Sequence, residues 1–210
     1  MAHFPVFIEI TNKRCVVVGG GKVALRKVET LLRYKAAVEV VAEKICEEIA
    51  VLLPQESLHQ RAFQNTDLSG AVLVIAATAS REINHQVAAW CERNHVLVNV
   101  ADAPEECTFL FPAIVKKGEI SIGINTGGTS PSVSGKIRKE IDEAVPEYYG
   151  DIARQMGVLR QQVKEHFPQE KDRRRILKEA AGRAFASGRV LTEEALEQIL
   201  QSESAEHKKE

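Results

Sequence analysis

Three groups of residues in this 210-residue chain have types and spacings that could do chemistry. Gly19, Gly21 and Ala24 fall on the spacing G-x-G-x-x-A directly after the apolar run Val16, Val17 and Val18. In a strand-turn-helix setting the first glycine makes the tight turn and the second lets backbone approach a pyrophosphate. The third position takes a small side chain where helix packs on strand. Amides and dipole at the helix start then favour an anion, so a dinucleotide is the expected ligand. Glu43, just beyond a second apolar run, could accept from the ribose hydroxyls of NAD. The second group is NVADAP at 99–104, where Asp102 follows a strand-like run and is the first choice for a catalytic carboxylate. The competing role for Asp102 is to accept backbone hydrogen bonds in the turn before Pro104. The third is TGGTSP at 126–131, in which Thr126, Gly127, Gly128, Thr129 and Ser130 offer closely spaced amides and hydroxyls to a carboxylate or phosphate. A tight connection in which Ser130 merely caps a helix would use the same residues.

The elements that must position these groups alternate between two periodicities. Segments 15–18, 38–42, 58–63, 72–77 and 96–100 are strand-like, and 23–33, 42–53 and 81–93 are helix-like. Runs such as 72–77 are apolar throughout, as expected when helices cover both faces of a parallel sheet. The implied fold is α/β, a Rossmann-like doubly wound parallel sheet whose crevice lies beyond the strand C-termini. Loops at Gly19–Val23, at Glu43 and Lys44, at Ala77 and Thr78, and from Asn99 to Pro104 should face that crevice. After Pro104 two strand-like runs, 108–115 and 119–125, read as a β-hairpin, followed by a helix opening at Pro131. From about Tyr148 the apolar spacing is helical throughout. The expected domains are a dinucleotide-binding unit at 1–106, a hairpin and helix for dimerisation at 107–146, a helical C-terminal domain at 147–202 and a disordered tail at 203–210. The hairpin and its helix have no covering layer in their own unit, which predicts a homodimer.

Composition narrows the function. With 28 basic against 29 acidic residues, nucleic acid and membrane surfaces are not expected partners. Four scattered cysteines at 15, 46, 91 and 107 form neither a C-x-x-C pair nor a ligand cluster, so no metal site and no disulfide framework is expected. The first residues lack a secretory leader and no run spans a bilayer, which predicts a cytoplasmic protein. Basic clusters at Lys116 and Lys117, at Lys136, Arg138 and Lys139, and at Arg173 to Arg175 read as solvated faces unless the substrate is strongly acidic. His85, His95 and Trp90 read as surface or packing residues.

Taken together these motifs resemble the precorrin-2 dehydrogenase / sirohydrochlorin ferrochelatase family of sirohaem synthesis, including the N-terminal part of the fused sirohaem synthases. The resemblance rests on FPVF at 4–7, VGGGKVALRK at 18–27, IAAT at 75–78 with Asn84, NVADAP at 99–104, FPA at 111–113, GGTSP at 127–131, LRQQVK at 159–164 and the arginine run at 173. It implies NAD-dependent oxidation of precorrin-2 to sirohydrochlorin, with Lys22, Val23, Glu43 and Lys44 at the cofactor. The family's important aspartate falls on Asp102, as proton acceptor or as the group orienting the macrocycle. Asn99 and the residues from Thr126 to Ser130 are then expected at the tetrapyrrole, whose carboxylates give the basic clusters a purpose. The family's second region forms an interlocked dimer. Some members also insert ferrous iron into sirohydrochlorin, which would make iron a further substrate. Thr126 stands where some fused enzymes carry a serine that can be phosphorylated, and threonine keeps the hydroxyl. The alternative is a regulatory module that senses NAD and has no catalysis.

Overall fold

The computed structural model describes residues 3–207, and their side chains as far as 202. The chain divides between Phe111 and Pro112 into two compact units. In the first, β1 (Arg14–Val18), β2 (Ala37–Val41), β3 (Leu58–His59), β4 (Leu73–Ala76) and β5 (Leu97–Val100) form one sheet in the order β3-β2-β1-β4-β5. Every pairing in it is parallel. The strands run in opposite directions of succession from β1, which makes the C-terminal ends of β1 and β4 the switch point where such sheets bind ligands.

Alternation along each strand explains why helices cover both faces. Val16, Val18, Val74, Ala76, Val98 and Val100 point to one side and pack on Val87, Ala88 and Cys91 of α3 (Arg81–Arg93). Cys15, Val17, Val38, Val40, Leu73 and Ile75 point to the other. There they meet Ala24, Val28 and Leu31 of α1 (Lys22–Arg33), spaced to share one helix face, and Ile49 of α2 (Glu47–Leu52). Val16, Val17 and Val18 are essentially inaccessible, and each such burial contributes about 1.5–3 kcal/mol.

Three expected boundaries move, two of them for a non-local reason. The helix expected over 42–53 starts only at Glu47, because the Cys46 amide donates to the Gly20 carbonyl at 2.8 Å and holds 43–46 as a loop against the glycine turn. β3 is two residues long instead of spanning 58–63, since the chain turns after His59, with the Arg61 amide donating to the His59 carbonyl. The strand expected at 108–115 begins at Ala113, because 107–109 run back along β5. The Thr108 hydroxyl accepts from the Val98 amide at 2.8 Å, and the Thr108 amide donates to the Val98 carbonyl at 2.9 Å. The first compact unit accordingly runs to Phe111.

Charged pairs brace the β2–β3 edge. Arg14 grips Glu39 through two nitrogens, at 2.7 and 2.8 Å, and His59 Nε2 lies 3.3 Å from the same carboxylate. Arg61 pairs with both oxygens of Asp67 at 2.5 and 2.9 Å, and the Gln64 amide donates to it at 2.8 Å. The Arg14 bonds hold Glu39 below the ordinary carboxylate range, and the Arg61 bonds do the same for Asp67. A carboxylate depressed in the folded state adds stability above its unfolded pKa and loses it as pH falls through the folded value. The melting temperature should therefore fall as pH drops below about 4, and Asp67→Asn should flatten part of that fall in a melting series against pH. An acid limb identical in the variant would remove Asp67 from the account.

In the second unit β6 (Ala113–Lys117) and β7 (Ile120–Ile124) pair antiparallel, with Lys117 opposite Ile120. Gly118 takes a positive φ of 54° in the turn, and a Cβ on Gly150 would strike the Lys117 carbonyl, so hairpin and helix start meet backbone to backbone. α4 (Pro131–Ala144), α5 (Tyr148–His166), α6 (Glu170–Ser187) and α7 (Glu193–His207) follow. Leu159 and Val163 of α5, Ile176 and Ala180 of α6 and Ile199 of α7 make the buried centre of the helical part. Gln155 locks the α6–α7 connection by bonding both the amide and the carbonyl of Leu191, at 2.9 and 2.7 Å. α7 continues to His207, through most of the tail expected at 203–210, and residues 208–210 lie outside the described ones. No helix among the described residues is long and apolar enough to cross a membrane.

Candidate active site

The glycine turn sits at the switch point of the sheet. Gly19 has φ +127°, its amide donates to the Val41 carbonyl at 2.9 Å, and a Cβ there would strike the Ala77 carbonyl. The loops after β1, β2 and β4 thus meet at one glycine, which is why no other residue fits. Gly20, which the spacing argument passes over, is as constrained: its Cβ would strike the Lys44 carbonyl. Gly21 is the opposite case. It is the N-cap of α1, makes no side-chain cap, and has open space where a Cβ would stand. No acidic residue occupies the first turn of α1, so its leading amides face outward uncompensated. This is the geometry a pyrophosphate needs, and the residues present fit a nicotinamide dinucleotide.

Lys22 and Val23 follow in that first turn, both exposed, Val23 with 45% of its surface open to solvent. Glu43 and Lys44 are exposed on the loop after β2. Ala77 donates its amide to the Val18 carbonyl at 2.7 Å, and Thr78 is fixed by Asn84. The Asn84 oxygen accepts from the Thr78 amide at 3.1 Å and from its hydroxyl at 2.8 Å, while the Asn84 amide donates back to the Thr78 carbonyl. Asn84 is buried on α3, whose N-terminus Ser80 caps, so the helix sets the shape of the β4 loop.

Asp102 lies just past β5, at the same end of the sheet as the glycine turn. It is exposed, takes φ +59°, and its carboxylate makes no hydrogen bond or ion pair with any described residue. It accepts none of the backbone hydrogen bonds of the turn before Pro104. A left-handed backbone costs a non-glycine residue on the order of 1–2 kcal/mol, less for aspartate than for most, and Asn12, Lys35 and His95 adopt it as well. Asn99, by contrast, is 7% exposed, and its amide donates inward to the Phe109 carbonyl at 3.1 Å. Lys27 on α1 stands 3.8 Å over the Phe111 ring, and burial pushes its ammonium below the ordinary lysine range. No periodicity would have flagged it.

The second unit carries the other glycine turn. Gly127 and Gly128 both take left-handed φ, +65° and +77°. The Thr126 hydroxyl donates to the Ser130 carbonyl at 3.2 Å, the Thr129 hydroxyl to the Thr126 carbonyl at 2.6 Å, and the Asn125 side chain accepts the Gly127 amide. Ser130 caps α4 through the Val133 amide at 3.4 Å. The amides of Gly128 and Ser130 have no partner among the described residues. The expected basic clusters are largely paired. Lys117 binds Asp142 and Glu147 at 2.9 and 2.7 Å, Arg173 donates to the Phe167 and Pro168 carbonyls, and Arg174 pairs with Glu170. Among the described residues no group of three or more His, Cys, Asp or Glu could hold a metal ion.

A family model described as "Putative NAD(P)-binding" matches residues 6–113. The chain is 36% identical over 209 residues to a siroheme synthase of Thioalkalivibrio sulfidiphilus, covering 96% of this chain and 43% of that protein. It is 38% identical over 192 residues to a siroheme synthase of Nitrosospira multiformis, covering 89% of this chain and 41% of the relative. The chain thus spans less than half the length of these relatives. A solved structure named SirC, precorrin-2 dehydrogenase, shares the fold with a TM-score of 0.74 at 22% identity, covering 97% of this chain and all of that one.

Proposed function

Since the chain belongs to the NAD(P)-binding family and aligns with siroheme synthases over nearly its whole length, we propose that it oxidises precorrin-2 to sirohydrochlorin with NAD as acceptor. The observation that carries this reading is the free carboxylate of Asp102, held in a strained turn at the sheet end where the dinucleotide turn also opens. Oxidation removes two hydrogens from the macrocycle, one as a hydride and one as a proton. When bound, the nicotinamide would supply the acceptor for the hydride. Gly19 and Gly21 shape the turn for the pyrophosphate, the amides of Lys22 and Val23 bind it, and Ala77 and Thr78 line the β4 side. Asp102 takes the proton released from the macrocycle or holds the macrocycle for its release. Asn99 serves the site by fixing the segment that returns along β5.

The tetrapyrrole carries several carboxylates, and the unpaired amides of Gly128 and Ser130 suit one of them. Lys117 and Arg173, committed within the second unit, are poor candidates for the others. None of the fourteen residues of α4 is fully buried, and Val115 alone in the hairpin is. A second copy covering that apolar surface is the simplest account, which makes the protein a homodimer. The test is direct: anaerobic precorrin-2 with NAD⁺ should give the sirohydrochlorin spectrum and NADH in equal amounts. Folded protein that yields neither, where a known dehydrogenase works, refutes the reading. Ferrous iron added to the same cuvette reports whether sirohydrochlorin is also metallated.

NAD over NADP rests on Glu43. Its exposed carboxylate follows β2, where the ribose lies in such folds, and it would repel a 2′-phosphate. A like-charge contact at about 4 Å costs roughly 1 kcal/mol or more. NAD⁺ should therefore be preferred by about fivefold to tenfold in kcat/KM, and Glu43→Gln should narrow the gap. A preference for NADP⁺ in the unsubstituted protein would overturn the role of Glu43.

A further inference from the structure

The turn that carries Asp102 has a brace that the spacing argument does not reveal. Ala101 ties the turn to the sheet, its amide donating to the Ala76 carbonyl at 2.8 Å. Beyond Ala101 the ladder stops. The Ala103 and Pro104 carbonyls accept the Glu106 and Cys107 amides at 3.1 and 3.3 Å, and the Cys107 side chain adds bonds on both sides of the turn. The Cys107 sulfur lies 3.2 Å from the Val100 amide, which donates to it, and 3.3 Å from the Ala103 carbonyl and 3.4 Å from the Val100 carbonyl, either of which can accept its hydrogen. The Asn99 side-chain amide adds a donor at 3.5 Å. One side chain thus joins the residues on both sides of Asp102, while Asp102 itself makes no bond that would fix it.

We infer that Cys107 is a positioning residue for Asp102, holding the turn from Val100 to Ala103 in the left-handed conformation that presents the carboxylate. The inference rests on Asp102 carrying the chemistry. The role needs a thiol, because a thiolate could not donate to either carbonyl. Burial pushes the Cys107 group above the ordinary thiol range and so keeps that hydrogen in place. Loss of the sulfur leaves the Val100 amide without its partner and frees the turn to relax to ordinary negative φ. A misplacement of about 1 Å at a reacting group can cost on the order of a hundredfold.

The experiment compares Cys107→Ala, Cys107→Ser and Asp102→Ala in full-length protein, with precorrin-2 and NAD⁺. The alanine variant should lose about tenfold to a hundredfold in kcat, with NAD binding unchanged. Serine keeps one donor and one acceptor at the same place and should recover most of the loss. Placed on top of Asp102→Ala, the alanine change at Cys107 should cost nothing further, because a brace has no effect once the group it presents is gone. If Cys107→Ala does not fold, Cys107→Val fills similar space without a hydrogen-bonding atom and takes its place. A variant that melts earlier but keeps its kcat, or losses that simply multiply in the double variant, would overturn the inference and leave Asp102 in its role. An Asp102→Ala variant with full turnover would instead remove the premise, which is a different result from either.

Discussion

Asp102→Ala should lower kcat for precorrin-2 oxidation by about a hundredfold to ten-thousandfold, the range general acid–base groups contribute, while NAD affinity stays within about twofold of the parent. The asymmetry follows from position. The dinucleotide turn is built from the ends of β1, β2 and β4, joined at Gly19 and Gly20, and none of the bonds that shape it involves Asp102. Alanine also pays on the order of 1–2 kcal/mol for the left-handed φ that aspartate tolerates better, so a drop in melting temperature accompanies it. Asp102→Asn separates the two effects, since asparagine accepts that backbone and keeps the shape without the charge. A proton acceptor predicts that asparagine is as inactive as alanine. An orienting group predicts partial activity, because the amide still offers an oxygen. NAD binding by titration and turnover by NADH absorbance, measured on both variants, decide between them. Full turnover in both would exclude a catalytic role for Asp102 and favour a module that only senses the dinucleotide.

What could be read in advance was what repeats along the chain. Five strands announce themselves as short apolar runs, α1 and α3 by apolar residues at a period of 3.6, and Gly19, Gly21 and Ala24 by a local spacing with a stated cause. What could not be read depends on partners distant in sequence. Nothing local says that 43–46 must lie against Gly20 and delay α2, or that Thr108 closes the open edge of β5. The same holds for the site. Asn84 stands out in the sequence only through the family resemblance, and its bonds to Thr78, six residues away, show only once the loop folds onto it. Lys117 looked available to an acidic ligand until Glu147, thirty residues on, bound it. Charge clusters in a sequence count charges, whereas a ligand meets only those left unpaired.

The three consecutive glycines should respond to alanine in two different ways, although the sequence shows only a run of one residue. Gly19→Ala meets a double obstacle: φ +127° is a conformation L-residues rarely adopt, and the new methyl strikes the Ala77 carbonyl, backbone that β4 holds in place. Gly20→Ala has an ordinary backbone but drives its methyl into the Lys44 carbonyl, tied nearby by the Cys46 bond to Gly20 itself. Overpacking of this kind costs about 1–3 kcal/mol and occasionally more, and strain at Gly19 adds to it. Both variants should unfold at lower denaturant or fail to accumulate. Gly21→Ala meets nothing within 4 Å and should melt with the parent. Its methyl stands at the uncapped entrance of α1, in the space a pyrophosphate must enter to reach the amides. If the dinucleotide binds there, losing about 1–3 kcal/mol of close approach weakens NAD roughly tenfold to a hundredfold without touching the fold. Denaturant midpoints and NAD titrations on the three variants separate the outcomes. A Gly21→Ala protein that binds NAD like the parent would move the cofactor away from this turn, whatever happens at its two neighbours.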